Sequence, residues 1–268
     1  MPAFALNHMT VAAMGFQPML DLAQRLGCVG VECRNDLDSD LFDGLSPQSA
    51  GEMLRDVGLR LLSLAEIKRF DRLTVDELPA AVELMDAAAE AGAEAVSLIP
   101  SNDGEPFDEA AMVVALELLM PHLQQRQLTG LIEPLGFETC GLRFKRLAVD
   151  LLESRGWTDQ FKIIHDTFHH HVAGETEQFP SNTGLVHLSG VTDCQLALSQ
   201  MRDPHRVLVG EDDRLGNVTQ ITELLNSGCS APLSFEAFAP EIHGATNIEE
   251  RLQRSMNHID NLLSLEAA

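Results

Sequence analysis

Thr129-Gly130-Leu131-Ile132-Glu133 is a short apolar run that ends on a carboxylate, and three later runs likewise carry a carboxylate or histidine at or just before their ends: KIIHD (162–166), LVHLS (185–189) and LSFEA (233–237). Each is β-rich and too short for a helix of its own, so each reads as a buried strand. Toward the N-terminus, four more such runs stand at 3–6 (AFAL), 29–33 (VGVEC), 60–64 (RLLSL) and 94–99 (EAVSLI). Their starts are 23 to 48 residues apart, and most gaps suit one helix with a loop on either side. Strand alternating with helix argues for a parallel sheet. Eight such units in 268 residues argue for an α/β fold closed into a (β/α)₈ TIM barrel, a single domain spanning 1–268.

The helices have readable ends. Ser46-Pro47 is an N-cap followed by proline at the first helical position, and Gly58 is a natural stop. Thr74-Val75-Asp76-Glu77 reads as a capping box opening a helix that runs to Gly92. Long amphipathic segments cover about 107–127 and 247–264. Two gaps are irregular: the 23-residue gap after the sixth strand holds His169-His170-His171, and the 48-residue gap after the seventh holds an extra loop at about 192–215. Both lie on the strand-to-helix side, where barrel enzymes place their chemistry.

Composition removes several function classes. With 18 Lys+Arg against 41 Asp+Glu the net charge is −23, which repels phosphate backbones and anionic lipid and predicts neither nucleic acid nor membrane as partner. Hydrophobic residues at 45% and charged residues at 22% are those of a globular protein. No segment reaches the roughly 18 apolar residues of a membrane span. The start, Met1-Pro2-Ala3-Phe4, lacks the basic opening of a signal peptide. Five scattered cysteines without a C-x-x-C pair fit a reducing compartment, so the expectation is a cytoplasmic protein. A homo-oligomer is compatible with all of this.

Four successive strands end in metal-capable side chains: Glu133, Asp166, His187 and Glu236. In a parallel barrel all four point to one rim. Three carboxylates and an imidazole suit a divalent cation such as Mn²⁺, Mg²⁺, Co²⁺ or Zn²⁺. Glu32, Arg34 and Glu66, at the ends of the second and third strands, line the pocket or form rim salt bridges. His8 is pocket wall or packed interior, and His170 faces away from its two neighbours.

LIEPLG (131–136), HDTFHHH (165–171), VHLSG (185–190), DPHRVLVGEDD (203–213) and SFEAFAPEIH (234–243) resemble the sugar isomerase/epimerase family with the xylose-isomerase-like barrel, and within it the 2-keto-myo-inositol (inosose) isomerases. The likeness is clearest from about 129 to 245. It implies one divalent metal held by Glu133, Asp166, His187 and Glu236, with Glu133 and Glu236 also serving as acid/base, and no organic cofactor. It further implies substrate contacts from His169, His171 and Arg206. Relatives often carry an acidic residue two after the ligand histidine; here Ser189 stands there.

The reaction implied moves a carbonyl between adjacent carbons of a small polyol or ketose. A proton leaves the carbon beside the C=O, and the enediolate that develops needs positive charge. Inosose dehydratase, a lyase, resembles the same barrel and tetrad and begins with the same enediolate. Endonuclease IV-type repair shares the D-x-x-H pattern at Asp166 and His169, but needs histidines at the third and fourth strand ends, which here read Ala65-Glu66 and Ile99-Pro100. A non-catalytic sugar-binding barrel is the remaining alternative. Ligation by neutral His187 and ionised carboxylates predicts metal affinity falling below about pH 6.

Overall fold

The computed structural model describes residues 2–266. Strands β1 (Phe4–Asn7), β2 (Gly30–Arg34), β3 (Arg60–Lys68), β4 (Ala95–Ile99), β5 (Thr129–Ile132), β6 (Phe161–Asp166), β7 (Thr183–Leu188) and β8 (Leu233–Phe235) run parallel in chain order. Pairing of β8 with β1 closes the expected barrel. The connections carry α1 (Phe16–Arg25), α2 (Pro47–Asp56), α3 (Leu78–Ala91), α4 (Glu109–Arg126), α5 (Lys145–Arg155), α6 (Thr167–Ala173), α7 (Asn217–Asn226), α8 (Pro240–His243) and α9 (Ile248–Glu266). No helix among the described residues is long and apolar enough to cross a membrane.

Local chemistry explains most boundaries. Ser46 Oγ accepts the Ser49 N–H at 3.2 Å and Pro47 opens α2, as the sequence predicts. The capping box at Thr74 forms only by half. Thr74 donates both its N–H and its hydroxyl to the Glu77 carboxylate, and regular helix begins at Leu78. The Glu77 N–H donates to the Thr74 backbone carbonyl at 3.1 Å instead of to its hydroxyl. Gly92, at φ +78, ends α3 in the left-handed conformation that glycine adopts at least cost.

The barrel interior has two levels. Ala5, Leu62, Ala95, Leu131, Ile164 and Leu185 form a separate apolar cluster that plugs the N-terminal end of the strands. Side chains two residues apart share a strand face. Two residues further along β1, β5, β6 and β7 therefore stand Asn7, Glu133, Asp166 and His187, all buried. The outward strand faces pack under the helices in one large core that includes Val31, Val96, Ile132 and Ile163 with Phe16, Leu20, Leu116 and Leu123.

Two connections depart from the regular unit. After β6 the chain makes only the seven-residue α6, opened by Asp166, whose carboxylate accepts the His169 N–H at 2.9 Å. After β7 it makes a long excursion with short 3₁₀ turns at Leu198–Gln200 and Asp203–His205. An antiparallel bridge between Gly190 and Val207 returns the excursion to the barrel. The Arg206 carbonyl then accepts the N–H groups of Phe238 and Ala239, after β8, at 3.0 and 2.9 Å.

The loop after β5 is packed just as closely. A Cβ on Gly136 would collide with the His169 carbonyl oxygen and the Ala173 nitrogen, both backbone atoms of α6. Gly136→Ala should therefore destabilise the protein by about 1–3 kcal/mol, the range for overpacking. Thermal melts should register this as a midpoint lowered by roughly 2–4 °C per kcal/mol. A variant that melts with the wild type would contradict this packing.

Candidate metal centre

Closure of the barrel brings one side chain from each of four neighbouring strand ends to a single point. Glu133 follows β5, Asp166 ends β6, His187 lies in β7 and Glu236 follows β8. One ligand atom from each lies within 4.8 Å of all the others, and all four residues are buried. His187 Nδ1 stands 3.1 Å from both Glu133 Oε1 and Glu236 Oε2 and 3.9 Å from Asp166 Oδ2. The register carries this arrangement, because Asp166 pairs with His187 and His187 with Ser234, two residues before Glu236.

His187 is oriented from behind by a residue read from the sequence only as pocket lining or a rim salt bridge. Glu32 is fully buried, its Oε2 lies 3.1 Å from His187 Nε2, and Ser234 Oγ donates to its other oxygen. In the neutral ring Nε2–H donates to Glu32, which leaves the Nδ1 lone pair facing the three carboxylates. A carboxylate behind a metal-binding histidine fixes both tautomer and ring angle in this way.

Charge is heavily unbalanced. Among the described residues, Glu32, Glu133, Asp166 and Glu236, with Asp36 and Glu66 further out, pair besides His187 only with Arg34, Lys68 and Arg206, and Asp203 shares Arg206. Six carboxylates against three cations leave an excess that one proton on His187 offsets only in part. A buried excess of negative charge built from oxygen donors and one imidazole fits a divalent metal ion. Burial opposes a charge on His187, yet Glu236, Glu32 and Glu133 raise its pKa well above the ordinary value.

The two glutamates are treated differently. Glu236 accepts from Arg34 Nη1 at 2.8 Å, Arg206 Nη2 at 2.9 Å and Asn7 Nδ2 at 3.2 Å. Burial disfavours its ionised form, but His187, Arg206 and Arg34 outweigh burial and hold the carboxyl below its usual range. Glu133 has His187 as its hydrogen-bond partner among the described residues. Burial pushes its carboxyl up to about 7 against the pull of His187.

Arg206, predicted from the resemblance, enters this centre: Nη2 donates to Asp166 Oδ2 at 2.5 Å as well as to Glu236, and Nε donates to Ser189 Oγ at 3.0 Å. Ser189 thus takes up the arginine by its hydroxyl. Phe238 lies against both guanidiniums, 4.6 Å from that of Arg206 and 5.8 Å from that of Arg34.

The histidine run separates into three environments. The ring of His169 packs edge-on against Phe137 and Phe168, and its Nδ1 accepts the Gly136 N–H at 3.2 Å. Burial keeps it neutral, so the proton sits on Nε2. His170 points away, its ring tilted against that of His165 at 4.8 Å and bonded to Lys145 Nζ at 2.7 Å. His171, named with His169 as a substrate contact, is half-buried beside the Leu215 backbone and the charges of Asp213 and Arg214. Residues two apart on a helix do not share a face. His8 is packed interior, bonded to the Met14 carbonyl at 2.9 Å. Asn7, Asp36 and Phe238 went unmarked in the sequence, although Asn7 was signalled as a polar residue just past an apolar strand.

The profile of the xylose isomerase-like TIM barrel family matches residues 20–262, and the chain belongs to that family. A xylose isomerase domain containing protein from Salmonella typhimurium LT2 is 29% identical, with a TM-score of 0.90 over 98% of this chain and 97% of its own. The IolI protein crystallised with a zinc atom shares the fold at 18% identity, TM-score 0.82, over 98% of each chain. An L-ribulose 3-epimerase does so at 16% identity, TM-score 0.76, over 99% of this chain and 95% of its own. No curated protein matches the chain by sequence.

Two outcomes follow from this geometry. Glu32→Gln should weaken Mn²⁺ or Zn²⁺ binding by about 10–100-fold with the four ligands intact, as measured by competition with a chelating dye. An unchanged affinity would sink the orienting role. Because the raised His187 holds a proton in the metal-free protein, metal binding should displace it. Affinity should then rise with pH through the neutral range, and calorimetry in two buffers should read between one and two protons released per ion, since the Glu133 carboxyl is raised as well as His187. The pH window thus lies higher than the ligand types alone predict.

Proposed function

We propose that this member of the xylose isomerase-like TIM barrel family is a divalent-metal-dependent isomerase or epimerase of a small ketose or keto-polyol, with inososes as the first candidates. The observation that carries the reading is the meeting of Glu133, Asp166, His187 and Glu236 at one buried point, with Arg206 bonded into it. Those four residues are the ligands of the proposed ion, Mn²⁺, Zn²⁺, Co²⁺ or Mg²⁺. When bound, such an ion supplies positive charge to the oxygens of the developing enediolate.

The protein's own groups divide the remaining work. Glu133, whose hydrogen-bond partner among the described residues is His187 where Glu236 has Arg34, Arg206 and Asn7 as well, is fitted to take a proton from the carbon beside the carbonyl and to return it. Glu236, gripped by Arg34, Arg206 and Asn7, is fitted to remain ionised and fixed in position. His169 presents Nε2–H as a donor to a substrate hydroxyl, while Arg206 sets the charge around Asp166 and Glu236. Return of the proton by Glu133 to the neighbouring carbon, with the hydroxyl proton passing between the two enediol oxygens, gives the isomer; delivery of a proton to the opposite face of the same carbon by a second acid gives the epimer. No organic cofactor enters this scheme.

The test is proton NMR of 2-keto-myo-inositol in D₂O with Mn²⁺-loaded protein, the metal being chelated before spectra are recorded. Deuterium beside the carbonyl with an isomeric ketone is the expected result. Glu133→Gln should slow that exchange by roughly 10²–10⁴-fold. A dehydrated diketone would reassign the protein as a lyase. A panel of ketoses and inososes showing no exchange would overturn the isomerase reading.

A further inference from the structure

The loop after β5 and the long excursion after β7 face each other across a cavity of about 340 Å³ lined by Phe137, Glu138, Arg143, Val172, Ser199 and Arg202, among others. Phe137 links it to the metal centre, since Arg202 sits 5.6 Å over its ring and His169 packs against it edge-on at 5.0 Å. We propose that this cavity is a subsite for the anionic group, phosphate or carboxylate, of a small ligand, with Arg143 and Arg202 as its binding groups.

Unmatched donors are the first argument. A guanidinium carries five N–H groups in a planar fork that matches phosphate and carboxylate oxygens. Arg143 donates Nη2 to the Val172 carbonyl at 3.3 Å, and its Nε is buried with no partner. Arg202 donates Nη1 to the carbonyls of Ser199 and Met201, at 3.0 and 2.6 Å. Neither forms an ion pair with a carboxylate among the described residues, whereas Arg34 and Arg206 each pair with several.

Charge and packing point the same way. In a chain of net charge −23 the lining sets two guanidiniums, the half-buried Arg143 and the exposed Arg202, against one carboxylate, the exposed Glu138. A local positive excess inside a strongly acidic protein is a selective device, because the surrounding field rejects anions that make no specific contact. Both arginines are backed by apolar surface: Phe137, Phe168, Val172 and Met201 belong to one buried cluster under the cavity. That backing lowers the local dielectric and strengthens a charge-assisted hydrogen bond.

The proposal stands independently of the reaction at the metal centre, and its test uses chelator-treated protein so that phosphate has no metal to bind. Calorimetric titration of inorganic phosphate at low ionic strength should show saturable binding. Arg143→Gln and Arg202→Gln should each weaken it by about tenfold or more. Arg155→Gln, whose guanidinium lies over Trp157, should leave it unchanged. If either glutamine variant loses its melting transition, the corresponding lysine variant takes its place, keeping the charge without the fork, and should weaken binding by a smaller factor. Absence of saturable binding by the wild type, full binding by both folded variants, or equal loss in Arg155→Gln would overturn the proposal. A ketose phosphate that binds metal-loaded protein more tightly than phosphate does would support it with the anion as the tail of the substrate. Equal affinities would support it with the anion as a separate small ligand.

Discussion

Mutual repulsion among carboxylates is the constraint to which the upper half of this barrel answers. Glu32, Glu133, Asp166 and Glu236 are each at most 5% exposed, so water cannot screen them. Isolated carboxylates at such depth would take up protons instead of staying charged. What keeps them in place is a short set of cations and donors: His187 between them, Arg206 across Asp166 and Glu236, Arg34 and Asn7 on Glu236, and Ser234 on Glu32. The apolar plug below supplies the floor, since Ala5, Leu131, Ile164 and Leu185 fill the barrel one layer beneath. Polarity sits on that floor because each strand turns from apolar to polar two residues later.

A second buried polar group holds the wall behind Asp166. Lys145, the first residue of α5, donates to Nδ1 of His165 at 2.9 Å and of His170 at 2.7 Å. His165 Nε2 in turn meets Gln220 Oε1 of α7 at 2.9 Å, and Gln220 bonds the carbonyls of Thr167 and Leu215. Burial pushes the Lys145 ammonium down to about 8. One lysine thereby connects α5, β6, α6 and α7. Buried networks whose members are all partnered specify a single arrangement, and here the arrangement is that of the segment carrying both Asp166 and His169.

The strands and the four ligand candidates were legible because each leaves a local mark. A five-residue apolar run that carries Glu, Asp or His at or just before its end is visible at 129–133, 162–166, 185–189 and 233–237 without knowledge of any partner. The contacts between those marks were not. Glu32 and His187 are 155 residues apart, and Arg34 and Glu236 are 202 apart. Only closure of β8 on β1 makes them neighbours, and periodicity carries no record of which strand end meets which. The histidine run shows the same limit: helical geometry separates His169 from His171, but the direction each takes depends on what α7 and the loop at 213–215 place beside it.

The excursion after β7 leaves and rejoins the barrel through fixed points, with Gly190 bridged to Val207 and the Arg206 carbonyl tied to the chain after β8. Residues 191–205 therefore form an appendix hung on two pegs, with Arg214 also tying its first half through the Val191, Asp193 and Leu196 carbonyls. Lengthening such an appendix adds only a slowly growing closure entropy. Arg206 stands at the peg and Arg202 within the appendix. Substitution and insertion can therefore remake what lies over the mouth of the barrel while the four residues at its floor keep their places.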